Sequence, residues 1–275
     1  MADKFIDIRK VFREKNPKLY KVMPSFIIEF IRRLVHEDDI NAFIAEHGHK
    51  QGLEFVDAII EHFQVQIRSA GTENIPAGER IIIAANHPLG GLDAMALLKV
   101  VSAVRTDLVF IVNDILLQLK NLNTLFAGVN KIGTTARQSL KAIDELYASD
   151  KCILIFPAGL VSRKQNGVIK DLAWNKSFVT MARKHQRSII PVHIGGANTH
   201  RFYNLANWRK KLGIKANIEM MLLPDEMYRQ YHKTINITVG SPIAWQQFGQ
   251  GVSDQEWAHR ICQLVYELPM LKKVM

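Results

Sequence analysis

A histidine and an aspartate lie six residues apart in the segment NHPLGGLD, residues 86–93. An imidazole, with an unperturbed pKa of about 6.5, can accept a proton near neutral pH, and a carboxylate on its other nitrogen would stabilise the imidazolium. On a continuous α-helix six residues span about 600°, so His87 and Asp93 would not share a face. They can meet only if residues 88–91 fold back as a loop, which the Gly-Gly pair permits. The alternative is a polar strand end followed by a first-turn helix acid stabilised by the helix dipole.

A second segment with chemical potential is FPAGLVSR, residues 156–163. An apolar run ends there at Pro157 and Gly159, and the backbone N–H groups of such a turn could bind an oxyanion. Arg163 could bind an anionic head group. The alternative is an ordinary strand-to-loop turn with a solvated arginine.

The elements that must position these segments alternate between strand-like and helix-like patterns from residue 64 onward. The apolar patterns predict strands at 64–68, 80–85, 107–112, 151–156, 188–194, 216–222 and 234–240. They predict helices at 92–104, 114–122, 136–148, 171–185, 224–232 and 253–267. Such alternation predicts an α/β fold with a largely parallel sheet flanked by helices. Both segments would then lie where strands end and helices begin, which is where such sheets bind ligands.

The first 63 residues form a helical N-terminal addition in this interpretation, with residues 64–275 as the second domain. Apolar residues recur at helical spacing over 26–35, with basic residues interleaved. Burial in the core is the usual fate of such a stripe. The alternative is an interfacial helix on anionic lipid, because residues 1–33 hold nine Lys/Arg against four acidic residues.

Composition narrows the function classes. The chain has 275 residues, 48% hydrophobic, which excludes a disordered or fibrous protein. The net charge of +10 favours an anionic partner: nucleic acid, an anionic membrane surface or an acidic substrate. Two cysteines exclude a disulfide framework, and no His/Cys/Asp cluster has metal-ligand spacing, so no metal and no cofactor are expected. No apolar run is long enough to predict a membrane-spanning helix, and the first residues do not have the apolar core of a signal peptide.

The order of three motifs resembles the glycerolipid acyltransferase family. They are Asn86-His87 followed by Asp93, then FPAGLVS at 156–162, then Ile190-Pro191-Val192 before Ile194. The similarity covers about residues 64–245, and the order of the motifs makes it fairly specific. The family includes the 1-acylglycerol-3-phosphate acyltransferases and the hemolysin-type, ornithine-lipid and glycine-lipid acyltransferases. The resemblance implies transfer of a fatty acyl group from a thioester, on acyl carrier protein or coenzyme A, to a hydroxyl of a lysolipid.

Two departures from the usual family pattern point to one branch. Five residues separate His87 from Asp93 where the usual motif has four, and Ala158 stands where the family has a glutamate associated with acceptor binding. Both departures are similar to the hemolysin-type and aminolipid branch, so a lyso-aminolipid acceptor of ornithine- or glycine-lipid type is favoured. A 1-acylglycerol-3-phosphate acceptor is the alternative.

The resemblance also implies roles for particular residues. His87 would act as general base and Asp93 would orient it, with amides near Gly90, Gly91 and Gly159 holding the oxyanion. Arg137 could match the arginine that family members place between the first and third motifs, or belong to an exposed helix turn. Asp171 and Trp174 follow the FPAG loop as in the hemolysin-type branch, although Asp171 is more simply read as the N-cap of its helix. The residues expected to contact substrate are Gly90, Gly91, Arg137, Phe156, Pro157, Gly159, Ser162 and Arg163.

Other function classes have weaker support. A nucleic-acid-binding protein fits the charge but lacks a motif, so no nucleic acid is expected as partner. The Gly-x-Ser-x-Gly elbow of an α/β hydrolase is absent. A further alternative is that the protein is a catalytically inactive relative that binds lipid. The expected location is the cytoplasmic face of a membrane, as a peripheral or monotopic protein.

Overall fold

A seven-stranded mixed sheet forms the centre of the molecule in the computed structural model, which describes residues 4–113, 116–128 and 136–271. Its strands are β1 (Gln66–Ala70), β2 (Ile81–Ala85), β3 (Leu108–Val112), β4 (Phe126–Gly128), β5 (Cys152–Ile155), β8 (Ser188–Ile194) and β9 (Thr234–Val239). Their order is β1-β9-β8-β2-β5-β3-β4, and every neighbouring pair is parallel except β8 and β9. The predicted α/β fold with a largely parallel sheet is therefore confirmed.

The central strands are apolar along their whole length because both faces of the sheet are covered. Every residue of β2 is buried. Its side chains alternate: Ile81 and Ile83 join the core on one face, whereas Ile82 joins the core on the other. A period-two alternation of buried side chains is what strand geometry requires when helices lie on both sides.

Helices supply both covering layers. The helices are α1 (Ile8–Lys15), α2 (Pro17–Val22), α3 (Ser25–Leu34), α4 (Glu37–His47), α5 (Gly52–His62), α6 (Gly91–Ser102), α7 (Ala136–Ala148), α8 (Ser177–Lys184), α9 (His200–Lys211), α10 (Leu223–Tyr228) and α11 (Asp254–Leu271). One core cluster takes Phe55 of α5 and Leu97 of α6. The other takes Tyr147 of α7, Phe178 of α8 and Val265 of α11. No helix among the described residues is long and apolar enough to cross a bilayer.

The apolar stripe of α3 divides between core and solvent. Ile28 is buried, as core packing predicts. Phe26 and Phe30, one helical turn apart, are 71% and 60% exposed, so the expectation of burial is wrong for these two residues. The division of the chain at residues 63 and 64 stays a prediction.

Several predicted elements have different forms in the structure. Residues 216–222 were expected as a strand but contain a 3-10 helix, Ile218–Leu222. Its buried residues, Glu219 and Leu222, are three positions apart, which fits a 3-10 turn and not the alternation of a strand. Glu219 pairs with Arg163 and Arg209. The helix expected over 114–122 consists of 3-10 turns at Leu116–Gln118 and Lys120–Leu122, with residues 114 and 115 outside the described part. The helix expected over 224–232 is the shorter α10.

Three strands and one α-helix were not predicted: β4, α9, and the strands β6 (Arg163–Gln165) and β7 (Val168–Lys170), which form a hairpin. The hairpin turns at Asn166 and Gly167, both with positive φ. An Asn-Gly pair is the preferred sequence for such a two-residue turn, so the signal was present. Thr199 caps α9 by accepting a hydrogen bond from the amide of Phe202.

Candidate active site

His87 and Asp93 meet at the start of α6. The loop between them folds back through Gly90, whose φ is +88°. Nδ1 of His87 lies 2.8 Å from Oδ2 of Asp93, so the expected proximity is confirmed. The same Oδ2 accepts hydrogen bonds from the amides of Leu89 at 2.8 Å and Gly90 at 3.1 Å. Asp93 is therefore both a first-turn helix acid and the partner of the histidine.

Burial dominates the electrostatics of the pair. Asp93 is fully buried, and burial raises the pKa of Asp93, while the hydrogen bonds from His87 and the two amides oppose that shift. His87 keeps 17% of its side chain exposed. Because Asp93 occupies Nδ1, the other ring nitrogen, Nε2, is the one that can accept a proton; it has no hydrogen-bond partner among the described residues.

Phe156 holds the other face of the imidazole. Its ring stacks on His87 with centroids 4.0 Å apart and planes inclined by 14°. Phe156 follows β5 directly and also contacts Phe110 of β3 at 4.8 Å. The second motif thus lies beside the first, as neighbouring parallel strands β2 and β5 require.

Asp171 joins the two motifs from behind. Its Oδ1 accepts hydrogen bonds from the amide of His87 at 3.2 Å and from Oγ of Ser162 at 2.6 Å. Its Oδ2 accepts a hydrogen bond from Nε1 of Trp174 at 2.9 Å. The N-cap interpretation of Asp171 is wrong, because α8 begins only at Ser177. Ser162 is buried and donates its amide to the carbonyl of His87 at 2.7 Å, so it supports the histidine backbone.

Asn86 connects this loop to the third motif. Its side-chain amide donates to the carbonyl of Ile194 at 2.9 Å and its Oδ1 accepts from the amide of Ile194 at 2.7 Å. This paired contact joins the ends of β2 and β8. The sequence motif contained Asn86, but its role as a clamp depends on strand order and could not be read from the sequence.

The glycine amides differ in availability. The amide of Gly90 donates to Asp93 and that of Gly159 donates to the carbonyl of Phe156, so neither is free for an oxyanion as the sequence interpretation had it. The amide of Gly91 has no acceptor in the described part of the chain, and Gly91 is exposed at the N-terminus of α6. Pro157 is buried, and its carbonyl accepts the amide of Asn175.

The two candidate arginines stand differently. Arg163 is buried, with Nη2 2.8 Å from Oε1 of Glu219 and Nη1 donating to the carbonyl of Val161. The sequence suggested that Arg163 contacts an anionic head group, but its guanidinium faces the buried Glu219 instead. Arg137 lies in the first turn of α7, and its side chain is outside the described part of the structure.

Helix α10 borders the site and was missed as a contributor. A Cβ on Gly91 would lie 3.3 Å from Sδ of Met227, and one on Gly90 would lie 3.4 Å from Leu223. Side chains of α10 therefore lie next to both glycines, and a side chain on Gly91 would crowd Met227. Within the described residues, no group of three His, Cys, Asp or Glu side chains is arranged to hold a metal ion.

The Ser162 hydroxyl donates to Asp171, and no serine or cysteine side chain of the described residues hydrogen-bonds to the imidazole of His87. A histidine–carboxylate pair of this kind, at a strand-to-helix junction, suits general-base activation of an external hydroxyl. An acyltransferase family model matches residues 10–270, and the chain belongs to this family. It is accordingly an acyltransferase, as the sequence resemblance predicted.

Two curated relatives and one solved structure refine this placement. The chain is 41% identical to the lyso-glycine lipid O-acyltransferase of Bacteroides thetaiotaomicron over 264 residues, covering 96% of this chain and 97% of the relative. It is 40% identical to the protein of the same name from Phocaeicola vulgatus, covering 96% and 95%. The crystal structure of the 1-acyl-sn-glycerophosphate acyltransferase PlsC from Thermotoga maritima superposes with a TM-score of 0.51 at 18% identity, covering 96% and 95%. That structure supports the fold.

Proposed function

We propose that this acyltransferase moves a fatty acyl group from a thioester to the hydroxyl of a lyso-aminolipid of the glycine-lipid type. The observation that carries the proposal is the contact of His87 Nδ1 with the buried carboxylate of Asp93, in a chain about two-fifths identical to two lyso-glycine lipid O-acyltransferases. Ala158 agrees with this acceptor, since the motif resembles the aminolipid branch. The proposed acyl donor is a thioester of acyl carrier protein or of coenzyme A.

In the proposed reaction, Nε2 of His87 takes the proton of the acceptor hydroxyl as its oxygen attacks the thioester carbonyl. Asp93 stabilises the imidazolium that forms, since its carboxylate contacts the opposite nitrogen. The free amide of Gly91 and the positive end of α6 face the oxyanion of the tetrahedral intermediate. The carbon–sulfur bond then breaks, and the departing thiolate takes the proton from His87. The products are an ester and a free thiol, with no covalent enzyme intermediate.

In the test, the purified protein is supplied with a labelled acyl group on acyl carrier protein or on coenzyme A. Lyso-glycine lipid, lyso-ornithine lipid and lysophosphatidic acid are offered as separate acceptors. We expect transfer to lyso-glycine lipid. Transfer to lysophosphatidic acid alone would overturn the aminolipid acceptor in favour of phospholipid synthesis.

A pair of histidine variants tests the residue assignment. His87→Ala should abolish turnover and keep the far-ultraviolet circular dichroism of the parent. His49→Ala is the matched control, because His49 is exposed between α4 and α5 and has no role in the site. Near-normal transfer by His87→Ala would refute the general-base role.

Association with an anionic membrane surface is part of the proposal. The N-terminal surface of α1 to α3 and the residues before them combines the basic excess of residues 1–33 with exposed apolar side chains. These side chains are Phe5, Val11, Leu19, Val22, Phe26 and Phe30. Exposed apolar residues among lysines and arginines are typical of helices that lie in a lipid interface.

Vesicle co-sedimentation tests this surface. Phe26→Ser/Phe30→Ser should lower binding to phosphatidylglycerol vesicles at least tenfold, since two phenyl rings no longer enter the lipid. Leu140→Ser, which removes an exposed apolar side chain from α7, is the control. Equal binding by both variants would remove the N-terminal surface from the proposal.

A further inference from the structure

A second surface of exposed apolar side chains lies far along the chain from the first. Trp208 and Leu212 are 67% and 68% exposed, and Ile214 and Met221 are also exposed. Trp208 and Leu212 are four residues apart at the end of α9, so they point to the same side. We call these four residues, with the lysines described next, the α9 surface.

The charges around these side chains have one sign. Residues 200–218 contain five Lys/Arg and no Asp or Glu. Lys210, Lys211 and Lys215 are exposed and form no ion pair with a described residue. Glu219, the next acid along the chain, is fully buried and is occupied by Arg163 and Arg209. The surface therefore presents ammonium groups and apolar side chains together.

The first turn of α9, at the opposite end of the helix from Trp208 and Leu212, packs beside the catalytic loop. Phe202 and Tyr203 of α9 form a buried cluster with Val161 and Leu222. Val161 and the adjoining Leu223 are the side chains that a Cβ on Gly90 would meet, at 3.9 and 3.4 Å. Met221 of the α9 surface lies two residues before Leu223, and through this segment the surface adjoins the loop that holds His87.

The same cluster also reaches the N-terminal surface. Leu34, at the end of α3, packs against it. His36, just after α3, stacks on Tyr228 of α10 with ring centroids 3.9 Å apart and contacts Asp225 at 3.3 Å. Nη1 of Arg201 in α9 approaches the same Asp225 at 3.4 Å. The end of α3, the start of α9 and helix α10 are therefore joined at this point.

We propose that the α9 surface is a second contact with an anionic bilayer, in addition to the N-terminal surface. This inference rests on the proposed lipid acceptor, because a lipid substrate must leave a bilayer beside the active site. Indole and aliphatic side chains enter the boundary between head groups and acyl chains, and neighbouring lysines meet the lipid phosphates. An anionic bilayer accounts for the lysines and for the exposed tryptophan and leucine together, and an acidic protein partner is the alternative outcome of the test.

The experiment measures partition of the full-length protein onto phosphatidylglycerol and phosphatidylcholine vesicles. One variant removes charge, Lys210→Gln/Lys211→Gln/Lys215→Gln, and a second removes apolar surface, Trp208→Ser/Leu212→Ser. Each lysine near an anionic surface contributes about fivefold to binding, so the first variant should bind phosphatidylglycerol vesicles at least tenfold more weakly. The second should lose at least tenfold as well. The loss in the lysine variant should shrink at 0.5 M salt, roughly, where the Debye length falls to a few ångströms.

The matched control is Leu140→Ser/Lys141→Gln on α7, which removes one exposed apolar and one exposed basic residue elsewhere. It should bind within twofold of the parent. Parental vesicle binding by both α9 variants would overturn the inference. Parental vesicle binding with weakened retention on immobilised acyl carrier protein would overturn it in favour of a protein partner.

Acyl transfer to detergent-dispersed acceptor separates this inference from the proposed function. The α9 variants should retain parental rates there, because no bilayer is involved. A parent protein that transfers no acyl group would contradict the proposed function, whereas the vesicle measurement still decides the α9 surface.

Discussion

Replacing Asp93 with asparagine is expected to lower kcat about a thousandfold while the protein stays folded. Asparagine has the shape of aspartate, and its side-chain oxygen can still accept the amides of Leu89 and Gly90, which lie 2.8 and 3.1 Å from Oδ2. The negative charge next to Nδ1 of His87 is lost. The imidazolium that forms during the reaction then has no counter-charge.

The magnitude follows from the geometry. With Nδ1 2.8 Å from Oδ2, the two charge centres are about 4 Å apart, and an effective dielectric constant of about 20 gives roughly 4 kcal/mol. Since about 1.4 kcal/mol corresponds to a factor of ten in rate, the expected loss is about 10³-fold.

Steady-state acyl transfer to lyso-glycine lipid is the assay, with thermal unfolding as the check on folding. The double variant His87→Ala/Asp93→Asn should be no slower than His87→Ala, because Asp93 acts through the histidine. More than a tenth of parental kcat in Asp93→Asn would refute the reasoning.

Three further outcomes are expected. Gly90→Ala should reduce kcat at least tenfold, because φ is +88° at Gly90 and a side chain there strains the loop. Gly78→Ala, with open space around its Cβ, is the control, and equal effects of the two variants on kcat would contradict this prediction. Arg163→Met should lower the free energy of unfolding by about 2 kcal/mol, since the buried Glu219 loses one of its two arginine partners, with the acceptor KM unchanged in the folded protein. A raised KM at parental stability would instead indicate a head-group contact. Burial lowers the pKa of His193 to about 4, from about 6.5 in the unfolded chain. As the pH falls below 6.5, His193 of the unfolded chain therefore binds a proton, whereas His193 of the folded protein binds one only near pH 4. The free energy of unfolding decreases across this window, by roughly 2 kcal/mol at pH 5. Chemical denaturation of His193→Gln at pH 7 and pH 5 should show a smaller fall, and an identical fall would rule out His193 as its source.

Much of the fold could be read from local patterns. The apolar runs of β2, β3, β5 and β8 are visible because strands buried on both faces admit almost no polar residue. The failures occurred where a long-range partner decides the conformation. Residues 216–222 have strand-like composition, but Ile218–Leu222 form a 3-10 helix in which Glu219 is buried against two arginines from elsewhere in the chain.

The sequence alone determined the identity and order of the site motifs and the loop that could bring His87 to Asp93. Because Gly90 and Gly91 lie in the short loop between His87 and Asp93, few loop conformations can bring the two side chains together. The branch preference drawn from Ala158 also came from residue identity alone.

Tertiary structure decided which polar groups are already occupied. Asp171 supports His87 from 84 residues away, and Glu219 takes the guanidinium of Arg163 from 56 residues away. These contacts depend on strand order and on how the segments after β5 and β8 cross the sheet, and no local pattern encodes either. An arginine beside a motif looks the same in sequence whether it faces a ligand or a buried carboxylate, because only the packed fold brings that carboxylate within reach.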